Sequence, residues 1–278
     1  MTGSSTIRRR HSSRSPSRAP SHGLDILARL GFTARGVVYV LIGLLALAIA
    51  FGKRAPAADR TGALQAVAAQ PLGKALLWLL VIGFAAMALW RFAQACYGVN
   101  GNRKRGGAEI LALIRGILYT VFFVGTLRFV LEARLPQSSN QQSRDFTVTA
   151  MAHSGGRILV ILVGLVIAGI GAYTIRTGLT KAFLKDLRLT GVDHRTREGV
   201  TALGTTGNIA RGILFAGVGA FMIAAAVRFN PGAAKGTDAT LRSFAHTPLG
   251  PWLLAVVAVG LVLFGAYSLC EARWHRPA

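Results

Sequence analysis

Acidic residues, cysteines and catalytic signatures are all scarce in this sequence, and each shortage excludes something. Asp and Glu number 10 among 278 residues, against 32 Lys and Arg. Each carboxylate falls in a polar connection or at the end of an apolar run. A proton-coupled transporter normally places a carboxylate at membrane depth, so the pattern argues against a driven pump. The two cysteines, Cys96 and Cys270, form no CxxC or Cys/His spacing. They read as small residues near helix ends, not as a disulfide or a metal centre. No HExxH, Gly-x-Ser-x-Gly or phosphate-loop motif is found, and without one the reading is no enzyme, no cofactor and no metal.

Charge is low overall. Charged residues make up 15% of the chain and hydrophobic ones 52%, where a soluble protein carries about 25% charge. Long apolar runs account for the difference. They predict spanning helices over 33–52, 74–97, 110–132, 156–178, 208–229 and 251–271. Twenty helical residues rise about 30 Å, one hydrocarbon thickness. Residues 1–26, rich in Ser, Arg and Pro, read as a disordered basic tail. Arg8-Arg9-Arg10 lacks the context of a twin-arginine signal, and Ala48-Ile49-Ala50 is not read as a cleavage site, because the same helix recurs twice further on.

That recurrence is the chief positive signal. Ala34-Arg35-Gly36-Val37-Val38-Tyr39 returns as Ile114-Arg115-Gly116-Ile117-Leu118-Tyr119 and as Ala210-Arg211-Gly212-Ile213-Leu214-Phe215. Each copy opens an apolar run. A second run follows in each unit, led by Gly73, Gly156 or Gly250 and carrying Trp90, Tyr173 or Tyr267 at matching positions. Pro71-Leu72-Gly73 recurs as Pro248-Leu249-Gly250, while the middle copy has Gly155-Gly156. Constant spacing over so many positions marks duplication. The expected organisation is an all-α membrane protein of three helical-hairpin repeats, 27–98, 109–180 and 204–275. Short interfacial helices precede helices 2, 4 and 6; Leu64, Val67 and Ala68 form one such face, and Leu241, Phe244 and Ala245 another. An even number of spans per unit makes the repeats parallel.

The net charge of +22 is read as membrane electrostatics. Basic residues flank the apolar runs, and no nucleic-acid-binding motif accompanies them, so nucleic acid is not an expected partner. The larger share of Lys and Arg falls on the side bearing both termini, which the positive-inside rule makes cytoplasmic. Anionic phospholipid at that face is the expected partner. The repeated Ala-Arg-Gly-hydrophobic-hydrophobic-Tyr pattern, with its Pro-Leu-Gly-led second helix, resembles the bacterial membrane family known as domain of unknown function 1206. That resemblance covers about residues 27–275. It implies paired-helix repeats in a bacterial plasma membrane, and it implies no activity and no site residue.

Among single residues, Arg35, Arg115 and Arg211 stand out. Two readings are open: each snorkels to headgroups beside a glycine that permits close helix approach, or pseudo-threefold symmetry gathers them round a vestibule that attracts an anion, a phosphate or a lipid headgroup. Arg128 lies within the third apolar run with Glu132 at i+4, the spacing of a helical ion pair. Arg91, Arg176 and Arg228 are read as anchors near helix ends. His153 and His246 precede second helices and are expected to cap them. Two functional classes follow: a non-catalytic membrane scaffold interacting with lipid or a partner, or a passive channel or transporter for a small, probably anionic, solute. A continuous polar path between the repeats would separate them.

Overall fold

The computed structural model describes residues 22–53, 55–97, 107–133, 135–189, 191–247 and 250–274. Most of the tail assigned to 1–26 therefore lies outside the described residues. Among the described residues nine α-helices run in chain order: α1 His22–Ala50, α2 Arg60–Ala68, α3 Gly73–Tyr97, α4 Gly107–Glu132, α5 Ser139–Met151, α6 Gly156–Leu179, α7 His194–Val227, α8 Thr237–Ala245 and α9 Gly250–Trp274. Helices α1, α3, α4, α6, α7 and α9 are long and apolar enough to cross a membrane, and α2, α5 and α8 are the short helices expected before each second span. The expected architecture is the observed one.

Two spanning helices begin more than ten residues before their predicted starts. α1 begins at His22. α7 begins at His194 inside the stretch read as a linker and has 34 residues, about 51 Å of helix. Asp193 explains that start, since its carboxylate accepts the backbone N–H groups of Arg195 and Thr196 and caps the first turn. The added turns are packed: Val200 joins Phe183, Leu187, Phe264 and Tyr267 in a buried cluster, and Arg188 N–H donates to the Trp274 carbonyl at 2.8 Å.

In the first two units the glycine that opens the second span has a steric cause, whereas Gly250 is favoured by its positive φ of 48°. A Cβ on Gly73 would lie 2.5 Å from the Val67 carbonyl oxygen, and one on Gly156 would lie 1.6 Å from that of Ala150. The short outer helix ends against the start of the spanning helix, and only glycine fits there.

The sequence repeat is not the strongest packing unit. The closest seams join the second helix of one unit to the first of another: α9 on α1, α3 on α4, α6 on α7. The glycine of each Arg-Gly pair sits in such a seam. A Cβ on Gly36 would meet the Gly265 carbonyl at 2.9 Å, and one on Gly212 would meet that of Gly171 at 2.7 Å. In the third seam Gly116 faces the Phe92 ring instead. Without a hydrophobic drive between helices in lipid, such close backbone approach supplies the packing attraction. Broader contacts join α1 to α3 and α7 to α9, whereas among the described residues α4 and α6 do not pack on each other. The spans thus form a horseshoe, α4–α3–α1–α9–α7–α6, open between its ends. In the most apolar stretch of each helix, 17% of α4 and 22% of α6 is buried, against half of α3 and α9, so the open side is also the thinly packed one.

Candidate functional site

The horseshoe has two chemically different ends. At one, the N-termini of α2, α5 and α8 meet in a polar ring. Asp59, N-cap of α2, accepts from Gly62 N–H at 3.0 Å and from the Ser139 N–H and hydroxyl at 2.8 and 2.9 Å. Ser139 Oγ accepts from Thr237 N–H, and Asn140 Oδ1 accepts from Gly236 and Ala239 N–H. Asp238 takes Ala58 N–H at 2.7 Å and Asn140 Nδ2 at 3.2 Å, and pairs with Arg242. The three units are therefore linked cyclically here, through carboxylates that are 1% and 6% exposed. Buried ions are tolerable only when each lone pair is engaged in this way.

Beneath this ring the core is apolar. Ile42, Ala46, Phe84, Leu214, Val257 and Leu261 form one buried cluster, with Phe122 and Val218 packed against it.

The opposite end gathers arginines. Arg35 pairs with Glu271, donates from Nε to Ser268 Oγ at 3.1 Å and lies over the Phe264 ring at 5.4 Å. Arg211 lies 4.8 Å from that same ring and donates from Nε to the Tyr39 hydroxyl at 3.1 Å. Two of the three repeat arginines thus flank one aromatic ring, in the cation–π arrangement. Arg115 is exposed and within electrostatic reach of Arg211, Arg35 and Tyr173 of α6, so it looks into the gap between α4 and α6. The helical spacing predicted the shared end; the unequal partnering is new. Arg35 has a carboxylate, Arg211 a phenol, and Arg115 neither.

Arg91 joins them. It lies within electrostatic reach of Arg115, Arg35 and Glu271, donates from Nη1 to Gln94 Oε1 at 2.9 Å, and packs on Trp90 at 4.3 Å. Its Nε is buried with no hydrogen-bond partner. Read from the sequence as an anchor, Arg91 is a member of the cluster; its one-turn spacing to Gln94 was a signal. Glu271 and Ser268 were also missed. They sit one turn apart on α9, the spacing needed to hold one guanidinium across the α1–α9 seam.

Other expectations fare differently. Arg128 and Glu132 are both exposed, and among the described residues no ion pair joins them. Arg176 and Arg228 are exposed. The His153 ring bonds back to the Thr149 carbonyl at 2.9 Å while its own carbonyl accepts the Gly156 N–H at the start of α6, and His246 caps the end of α8 through its backbone N–H. Among the described residues no group of three or more His, Cys, Asp or Glu could hold a metal. Near the polar ring, Arg60 packs over Phe122 at 4.2 Å with Nη1 unpartnered. Burial lowers its pKa to about 10 despite neighbouring Asp59.

The comparisons agree with this repeat. A family model described as Domain of Unknown Function (DUF1206) matches residues 30–98, 111–181 and 206–275. The chain is 30% identical over 251 residues to "Uncharacterized protein YxxB" of Bacillus subtilis (strain 168), covering 89% of this chain and 90% of that protein. No solved structure matches.

Proposed function

The chain belongs to the family described as Domain of Unknown Function (DUF1206), and from that premise we propose that it is a non-catalytic, multi-pass component of the bacterial plasma membrane. In this reading both termini are cytoplasmic, and the arginine end holds an anionic group of lipid or of a partner at the inner face. The observation that carries the reading is the imbalance of that end: among the described residues Arg35 is paired with Glu271, and Arg91, Arg115 and Arg211 have no carboxylate in hydrogen-bond or ion-pair contact. The excess of Lys and Arg on the side of the termini supports the orientation.

The competing reading is a passive path for a small anion. Such a path needs polar continuity along the bundle, and the apolar cluster around Phe84, Leu214 and Leu261, beneath the Asp59–Asp238 ring, favours the first reading. Reconstituted protein tests the choice. Chloride and phosphate flux no greater than from empty liposomes, with anionic phospholipid co-purifying above its bulk share, is the expected result. Flux that disappears when Arg35, Arg115 and Arg211 are changed together to Gln would replace this reading with the channel.

A further inference from the structure

We infer that the gap between α4 and α6 is a lateral opening to the bilayer, through which one phospholipid bearing a phosphomonoester headgroup seats its phosphate on Arg91 and Arg115. This deepens the anionic-lipid reading above and rests on it.

Three observations converge. First, the gap is built into the helix order: α4 and α6 are the two ends of the horseshoe and do not pack on each other. Second, two guanidiniums with unused hydrogen-bonding capacity stand at this end within electrostatic reach of each other, Arg115 of α4 on the side of α6 and Arg91 of α3 behind it. Arg91 Nε is buried without a partner, a condition that disfavours the bare protein. Arg115 makes no ion pair or hydrogen bond among the described residues, and it reaches Tyr173 across the gap. Arg35 and Arg211 are engaged with Glu271 and Tyr39, so they raise the local positive potential while Arg91 and Arg115 have donors to offer. Third, the walls suit acyl chains. The α4 face that starts at Arg115 continues through half-buried Tyr119 and Phe122, and Val166 and Tyr173 of α6 are each 61% exposed.

Charge complementarity selects the headgroup. A phosphomonoester carries about −1.5 to −2 at neutral pH, where a phosphodiester carries one charge. Forked guanidiniums bind phosphate oxygens in pairs, so the more highly charged headgroup gains more from two of them. A soluble phosphate would satisfy the same donors but would have no use for the apolar walls or for an opening toward lipid.

Purified full-length protein in nanodiscs of phosphatidylcholine, with or without about five per cent phosphatidic acid or phosphatidylglycerol, provides the test. Lipid retained on the protein after detergent extraction is counted by native mass spectrometry. The expected result is one phosphatidic acid retained at least tenfold over phosphatidylglycerol. Arg115→Gln, at an exposed position, should cut retention at least tenfold, with Arg115→Lys recovering part of it. Gly169→Trp should also cut it: Gly169 lies one turn from Tyr173, and an added Cβ there meets no atom within 4 Å, so the ring can obstruct the opening without touching the arginines. Retention unchanged in Arg115→Gln and Gly169→Trp overturns the inference. Retention lost in Arg115→Gln, intact in Gly169→Trp and displaced by millimolar inorganic phosphate also overturns it, because the site then takes a soluble anion, while the broader reading of an anion-holding inner face stands. No selective retention of any anionic lipid or phosphate by the wild type sinks both.

Discussion

The α9–α1–α3 side of the bundle and the α4–α6 side are built from copies of one sequence, yet they pack differently. On the first side, glycines face each other across the α1–α9 seam: Gly265 and Gly36 could not both carry a Cβ, because each would strike the other's carbonyl within 3 Å. The α6–α7 seam repeats this with Gly171 and Gly212. In the α3–α4 seam the glycine of the Arg-Gly pair meets the Phe92 ring. That seam holds α4 from one side, and α6 is likewise held on α7 with no extensive packing on α4 among the described residues. Duplicated units therefore produce a bundle whose closure is local. It is complete in the polar ring at one end and incomplete between the spans.

The sharpest way to break this comparison is to place the same bulk on each side. Gly265→Leu should prevent α1 from seating on α9, since its Cβ would stand 2.7 Å from the Gly36 carbonyl and 2.7 Å from the Val40 backbone nitrogen. Backbone cannot move aside as a side chain does, and overpacking of about 1–3 kcal/mol is a lower guide here. Loss of monodisperse protein, or a fall in Tm of more than about 10 °C, is expected. Gly169→Leu on the open face of α6 should leave the Tm within about 2 °C. Equal losses would mean that α4 and α6 are packed in the membrane after all.

The polar ring comes next in size. Asp59→Ala removes an N-cap, worth about 1 kcal/mol, and strands the half-buried Ser139 N–H and hydroxyl, each costing at most about 1–3 kcal/mol. Because Ser139 opens the helix that connects α4 to α6 along the chain, hydrogen exchange should rise first in α4, α5 and α6 and least in α1 and α9. Uniform acceleration through all six spans would show that the ring stabilises the whole bundle and not its open side in particular.

How far these differences could be read in advance depends on their range along the chain. The spans, the three units and the short outer helices followed from apolar periodicity and self-similarity, which are local. The common end of Arg35, Arg115 and Arg211 followed from helix geometry. Their unequal partners did not, since Glu271 lies on the far side of the chain from Arg35 and only the α1–α9 seam brings them together. The split between α4 and α6 was hidden for a related reason: nothing in either helix names the neighbour it lacks. Asp59 and Asp238 were visible as rare acids in corresponding outer loops, but the Ser139-Asn140 pair that links them belongs to the least conforming copy.

The same contrast predicts unequal costs for equal substitutions among the arginines. Arg35→Gln strands Glu271, whose side chain is 13% exposed. Breaking a buried pair costs about 3–5 kcal/mol, less here for the residual exposure, and Glu271→Gln added to Arg35→Gln should recover much of the loss. Arg115→Gln strands no carboxylate, so thermal unfolding should move by no more than about 2 °C while lipid retention changes.

Arg60 offers the smallest effect and the one with a pH signature. It reaches from the polar ring toward α4, over Phe122, with one nitrogen buried and unpartnered. Its folded pKa is lowered to about 10, below the ordinary guanidinium range. A base with a depressed folded pKa destabilises the native state while both states are protonated, and the penalty fades as pH rises through about 10 toward the ordinary guanidinium range. Arg60→Leu removes that penalty and gives up a cation–π contact worth about 0.5–2 kcal/mol. Unfolding should therefore shift only slightly at pH 7, and the variant should lose ground to the wild type as pH passes 10. A variant that instead gains on the wild type above pH 10 would mean that the guanidinium is held by a partner, and that the open side of the bundle is better satisfied than its geometry indicates.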